Sequence, residues 1–180
     1  MSATDTATWT LDTVHSTADF TVKHMVVATF RGTFDTINAT LDYDGDTPKI
    51  TGTVPVSSVV VKDENLYGHL QSPDFFDAER HPEITFVSTA VRAINGGPAV
   101  EVDGDLTIKG VTQPVTATGY ITEPTEDIAG NSKVGVELTT VIDRTAFGLN
   151  WNAPLPKGGV AVENDVTLTV NLEFVAAQGA

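Results

Sequence analysis

Four histidines, 24 carboxylates and no cysteine make up the reactive inventory of this chain. The missing cysteine excludes disulfides, thiolate nucleophiles and cysteine-bound metals. His15, His24, His69 and His81 show none of the HxH, HxxxH or HExxH spacings that aim two imidazoles at one ion. A zinc or iron site would need carboxylates from distant strands, and isolated polar or capping histidines are the simpler reading. Serine, histidine and aspartate are all present, but no G-x-S-x-G elbow occurs to expose a nucleophile. Gly96-Gly97 and Gly158-Gly159 have no following helix or Walker lysine, so they read as turns rather than phosphate cradles. Residues 143–151 are more informative. Arg144 follows Ile142 at a strand end, and Phe147, Leu149 and Trp151 share one parity. Either an Asp143–Arg144 pair braces a corner over three core residues, or these aromatics ring a cavity mouth with Arg144 free for a polar head group.

Those side chains must be positioned by strands. Ala18, Phe20, Val22 and His24 alternate with Thr17, Asp19, Thr21 and Lys23, which is the period of a half-buried strand. Phe30 to Phe34 continues the pattern, and Ile37, Ala39, Leu41 and Tyr43 resume it on the other parity, predicting a bulge or bend in one long strand. Further inward rows are Ile50, Gly52, Val54 and Val56; Ile84 and Phe86; Val100, Val102, Gly104, Leu106 and Ile108; and Val115, Ala117, Gly119 and Ile121. Val134, Val136, Leu138, Thr140 and Ile142, then Val166, Leu168, Val170, Leu172 and Phe174, complete the set. Gly45-Asp46, Asn95-Gly96-Gly97-Pro98 and Lys109-Gly110 read as turns. Short connections and one polar face per strand predict an all-β fold: an up-and-down antiparallel barrel of about eight strands in a single domain over residues 1–180, with its core at 9–175.

Only residues 62–82 break the rhythm. Leu66 and Leu70 predict a short helix over residues 65–71, ended by Ser72-Pro73 because the residue before proline avoids the helical region. Phe75-Phe76 then needs something apolar to cover, which makes the segment a cap on one barrel end.

The net charge of -14 and pI near 4.4 disfavour nucleic acids and anionic bilayers as partners. No apolar run approaches the roughly 20 residues of a membrane span, so the protein is expected not to be membrane-inserted. Residues 1–9 carry neither a basic nor an apolar leader region, which predicts a cytoplasmic location.

Whether the interior is full decides the function. Ala18, Gly32, Ala39, Gly52, Gly104, Ala117 and Gly119 fall on inward parity, where glycine costs entropy and packs nothing. They mark barrel-corner bends, room for the cap, or an apolar pocket.

Several motifs coincide with one family. Trp9-Thr10-Leu11-Asp12 with His15-Ser16-Thr17-Ala18-Asp19-Phe20, then Arg31-Gly32-Thr33-Phe34, resemble the opening of YceI-like proteins. His69-Leu70-Gln71-Ser72-Pro73-Asp74-Phe75-Phe76-Asp77 and His81-Pro82-Glu83-Ile84-Thr85-Phe86 resemble the family's central signature. Gly104-Asp105-Leu106-Thr107-Ile108-Lys109-Gly110 and Asp143-Arg144-Thr145-Ala146-Phe147-Gly148 extend the likeness to nearly the whole chain. The resemblance implies an extended lipocalin-like barrel that binds polyisoprenoids, isoprenoid quinones or related long-chain amphiphiles without known catalysis. Several such proteins are homodimers, and many are exported, a point on which this chain's start departs. No cofactor is required beyond a bound polyisoprenoid, quinone or fatty-acyl lipid.

On this reading Phe20, Val22, Phe30, Phe34, Phe86, Leu106 and Ile108 line the pocket. Met25, Leu70, Phe75, Phe76, Phe147 and Trp151 form its cap and entrance. Phe86→Trp or Gly119→Leu is then expected to cut lipid loading while leaving a cooperative melt. Two other classes stay open: a hydrolase or isomerase using His24 or His69 with a carboxylate inside the barrel, and a structural or stress-response module with a filled core and no ligand.

Overall fold

The structure, a computed structural model, describes residues 8–43 and 47–177. Most of the start read above for a leader, and the Gly45-Asp46 turn, lie outside the described residues. The alternating segments form twelve strands: β1 Thr8–Leu11, β2 Thr17–His24, β3 Ala28–Phe34, β4 Asn38–Asp42, β5 Lys49–Pro55, β6 Val59–Val60, β7 Glu83–Ala93, β8 Ala99–Ile108, β9 Val111–Ile121, β10 Thr125–Glu126, β11 Ser132–Asp143 and β12 Val162–Ala176.

They pair antiparallel in one sheet that closes on itself where β11 meets β12. β1 and β2 lie end to end along one edge of β12, β1 against its last residues and β2 against its first two-thirds. In the same way β4 prolongs β3 and β6 prolongs β5. Taking each such pair as one long stave gives a closed eight-stranded antiparallel barrel. Each stave lies beside its sequence neighbours, as short connections demand.

The breaks have local causes. Between β1 and β2, Asp12 Oδ1 accepts the N–H groups of Val14 at 2.9 Å and His15 at 3.3 Å, turning the chain. Ser16 Oγ then accepts the N–H of Glu173 at 3.0 Å where the ladder lapses. The parity change between Phe34 and Ile37 is the bend between β3 and β4. A 3-10 turn, Val56–Ser58, separates β5 from β6, and Ser58 Oγ donates to the Pro55 carbonyl at 2.8 Å. Lys109 and Gly110, both at positive φ, make the two-residue turn between β8 and β9.

Two apolar clusters fill the barrel unequally. Near the ends bearing β1, the start of β8 and the end of β12, Val102, Val134, Val136 and Phe174 are almost wholly buried against Trp9, Leu41 and Leu172. These side chains leave this half almost closed to solvent. The other half holds Phe20, Phe34, Leu106, Ile108 and Ile142 under the cap. The cap's helix α1, Glu64–Gln71, begins one residue before the expected start because the Asp63 carboxylate accepts the Leu66 N–H at 2.9 Å.

On the outside of the first half, Lys133 Nζ bonds Glu173 and stands 3.7 Å from Asp12 and 3.8 Å from Asp127. His15 Nδ1 lies 2.9 Å from the Asp12 carboxylate. Ligand atoms of Asp12, His15 and Glu173 gather within 4.8 Å of one another, and the Lys133 ammonium beside Glu173 offsets part of their charge. The hydrogen bond to His15 holds the Asp12 carboxyl down at about 2, and the Asp12 carboxylate raises the His15 pKa. Asp12 therefore stabilises the fold above its ordinary value of 3.8 and loses that contribution as pH falls toward about 2. His15 contributes fully below 6.5, and the contribution is lost as pH rises through its elevated folded value. Asp12→Asn should thus lower the His15 midpoint in an NMR titration; an unchanged midpoint would show that the pair is not coupled.

Candidate functional site

The hollow half encloses a cavity of about 410 Å³, within the range of small-molecule sites. Its walls are the inward rows: Ala18, Phe20 and Val22 of β2, Val54 of β5, Ile84 and Phe86 of β7, Leu106 and Ile108 of β8, Ile142 of β11, and Val166 and Leu168 of β12. α1 closes the end by pointing Leu66 and Leu70, four apart and so on one helix face, into the space with Phe75 and Phe76 behind them. The Phe76 N–H binds the Leu70 carbonyl at 2.9 Å, folding the two rings back beneath the helix. Aromatic contacts join wall to cap: Phe20 to Phe30 at 6.1 Å, Phe20 to Phe34 at 5.8 Å, and Phe34 to Phe76 at 6.2 Å.

The cap is fastened from outside. Lys109 Nζ donates to the Pro73 carbonyl at 2.6 Å, and the His81 ring lies over Gly110, where no side chain could stand. The His69 ring sits edge-on to Phe75 at 4.9 Å and to Trp151 at 4.8 Å, with Nε2 3.1 Å from the Asp74 carboxylate.

Ten of the thirteen residues expected at the site line this cavity: Phe20, Val22, Phe30, Phe34, Leu70, Phe75, Phe76, Phe86, Leu106 and Ile108. Three do not. Phe147 is buried beside it in the 3-10 turn Arg144–Phe147. Trp151 clamps the outer face of the cap through Phe75 and His69. Met25 stands at the exposed tip of the β2–β3 hairpin, next to the cavity rim. Among lining residues not singled out for the site, Leu66, Ile84, Ile142, Val166 and Leu168 carry the same signals as those that were: inward parity, or the four-residue helical spacing.

The inward glycines do different jobs. A Cβ on Gly32 would strike the Phe20 ring at 2.3 Å, and one on Gly104 the Phe86 ring at 2.4 Å. These two glycines seat phenyl rings from neighbouring strands, a cross-strand rescue of missing side chains. Gly119 is set against backbone, because its Cβ would lie 1.8 Å from the Glu137 carbonyl oxygen. Leucine there breaks the β9–β11 ladder rather than plugging the cavity, contrary to the expectation from inward parity. Only Gly52, whose Cβ would meet nothing nearer than the Asn38 oxygen at 3.9 Å, leaves room in the lining.

Arg144 also differs from both sequence readings. It is 4% exposed and lines the cavity, yet its donors are spent on main-chain carbonyls. Nε donates to Glu163 at 2.9 Å, Nη1 to Leu149 and Trp151 at 2.5 and 2.9 Å, and Nη2 to Val162 at 3.1 Å. Nη2 also faces the Asn164 side-chain oxygen at 3.5 Å. Burial lowers its pKa from the ordinary value, and the nearby Asp143 charge opposes that; a guanidinium nevertheless stays charged. Asp143 does not pair with it: its carboxylate accepts Thr145 N–H at 2.9 Å and the Thr145 hydroxyl at 2.6 Å, capping the 3-10 turn.

Among the described residues the acid–base reading finds no constellation inside the cavity. His69 belongs to the cap's outer face, whereas His24 is exposed at the rim. Asp19 lines the cavity and accepts the Thr33 hydroxyl at 2.7 Å. Asp19 and His24, five residues apart on one strand, stand roughly 16 Å apart. The lining is mostly hydrocarbon, with threonine hydroxyls, Asp19 and Arg144 among it, and it reaches solvent at Lys23 and His24.

Comparisons with known proteins agree with this geometry. The model of the YceI-like domain matches residues 9–174. A UPF0312 protein of Staphylococcus aureus strain USA300 is 34% identical over 173 residues, covering 92% of this chain and 96% of its own. Among solved structures, Burkholderia cenocepacia BcnA superposes with a TM-score of 0.77 at 26% identity, covering 91% of this chain and 99% of that one. A polyisoprenoid binding domain from Saccharophagus degradans superposes at 0.73 with 13% identity, over 95% and 99% of the two chains.

Proposed function

Since the chain belongs to the YceI-like family, we propose that it is a non-catalytic binding or carrier protein for a long-chain isoprenoid or related amphiphilic lipid. The observation that carries this reading is the half-hollow barrel, whose cavity walls are almost entirely hydrocarbon. Apolar surface withdrawn from water contributes roughly 25 cal/mol per Å². Burying about 300 Å² of a ligand would therefore supply about 7 kcal/mol without any charged contact. Such a cavity cannot favour a small polar substrate, and no two titratable lining groups share a hydrogen bond among the described residues. The Saccharophagus degradans domain is described as polyisoprenoid binding. At 13% identity it shares the barrel, and the ligand chemistry rests on the lining of this chain.

Native mass spectrometry of freshly purified protein, followed by organic extraction, tests the proposal. The expected result is a mass increment that transfers to the organic phase. A bare mass, together with failure to take up an added detergent-solubilised polyprenol or isoprenoid quinone, would overturn it.

A further inference from the structure

The β2–β3 hairpin ends in a bare apolar tip at the cavity rim. Met25, Val26 and Val27 are 39%, 52% and 83% exposed, in consecutive positions. A chain this polar has abundant side chains for a solvent-facing turn, so three adjacent apolar ones call for a partner. The tip is also held in shape. The Met25 N–H binds the Ala161 carbonyl at 2.8 Å, and the Val27 N–H binds the His24 carbonyl at 3.2 Å. A Val26 methyl lies over Gly159, where a Cβ would sit 2.9 Å away. Met25 and Val26 both adopt positive φ, 51° and 65°, an unusual state for a β-branched residue.

The tip is continuous with the cavity. Val22, Lys23 and His24, just before it, and Phe30, just after it, all line the opening. β6 covers only Thr33 and Phe34 of β3, so among the described residues the outer edge of β3 from Ala28 to Arg31 has no strand beside it. The charges nearby are also distinctive. Lys23 and Arg31 on the hairpin and Lys157 on the turn beneath it have no ion-pair partner among the described residues, within a protein of net charge -14.

We infer that this tip docks the cavity mouth on a phospholipid bilayer, Met25 and Val27 entering the headgroup–acyl boundary and the three cations facing lipid phosphates. The inference rests on the lipid-carrier reading above, because an apolar ligand crossing free water would forfeit its hydrophobic stabilisation. A mouth pressed to the surface lets the chain pass directly between hydrocarbon phases. At about 0.15 M salt the screening length is about 8 Å, so only charges close to the contact act, and among these Glu163 and Asp165 at the start of β12 oppose the three cations.

The test is flotation of the full chain with phosphatidylcholine vesicles containing a minor share of phosphatidylglycerol. Wild type should co-float, and Met25→Ser/Val27→Asp should partition about tenfold less, as expected when tip residues no longer leave water. Equilibrium uptake of a detergent-solubilised polyprenol, which bypasses the bilayer, should be unchanged by that variant. Absence of wild-type flotation, or equal flotation of the two proteins, overturns the docking site. So does a dimer by light scattering that the variant dissolves without any vesicle binding, which would give the tip to a second copy. Flotation with no polyprenol uptake by either protein supports the docking site and counts against the carrier reading instead.

Discussion

Gly52→Leu is expected to empty the barrel of lipid while leaving it folded. The new Cβ meets only the Asn38 oxygen, at van der Waals distance, and the residue lines the cavity from the middle of β5. Four carbons placed there displace about four methylenes of ligand at about 0.8 kcal/mol each. That is about 3 kcal/mol, or roughly a hundredfold weaker binding. The thermal midpoint should stay within a few degrees, since filling empty space next to apolar walls costs little. Gly119→Leu is the contrasting control, because it collides with the Glu137 backbone and should unfold the protein with or without lipid. Undiminished polyprenol uptake by a folded Gly52→Leu variant would show that ligand does not occupy this space.

Removing the buried guanidinium should give the largest loss of stability. Arg144→Met keeps much of the side-chain volume but strands the carbonyls of Leu149, Trp151, Val162 and Glu163 at the cap-side end of β12. Leaving such a network half-satisfied costs on the order of 3–5 kcal/mol. For a chain of this size that lowers the melting temperature by about 10 °C. Arg144→Lys should recover only part of it, because a single ammonium cannot span four carbonyls on two segments. A melt of Arg144→Met within a degree or two of wild type would relegate these hydrogen bonds to decoration.

The strands and their order were legible in the sequence because both rest on local rules. Period-2 alternation assigns a face, Gly and Asp mark turns, and short connections force a meander; the cap helix was readable from Leu66, Leu70 and Pro73 in the same way. Residues whose role depends on a partner across the barrel were not legible. Gly32, Gly52, Gly104 and Gly119 look alike on inward parity, yet two seat phenyl rings, one abuts backbone and one opens onto space. Arg144 beside Asp143 reads as an ion pair, but its partners lie on segments 5 to 19 residues further on. The offset of Met25 and Trp151 from the cavity has the same origin. The ends of hairpins and loops obey geometry that alternation does not encode.

Under the proposed lipid-carrier function, the division between a filled and an unfilled half has a consequence for selection among homologous cargoes. Ile50, Leu138 and Leu172 belong both to the packed cluster and to the cavity lining, so they mark the floor of the cavity. A tail shorter than the depth to that floor leaves vacuum behind it, and a longer one must leave units hanging outside. Discrimination would then work as a dipstick does, by counting repeat units against a rigid base rather than by recognising any chemical group.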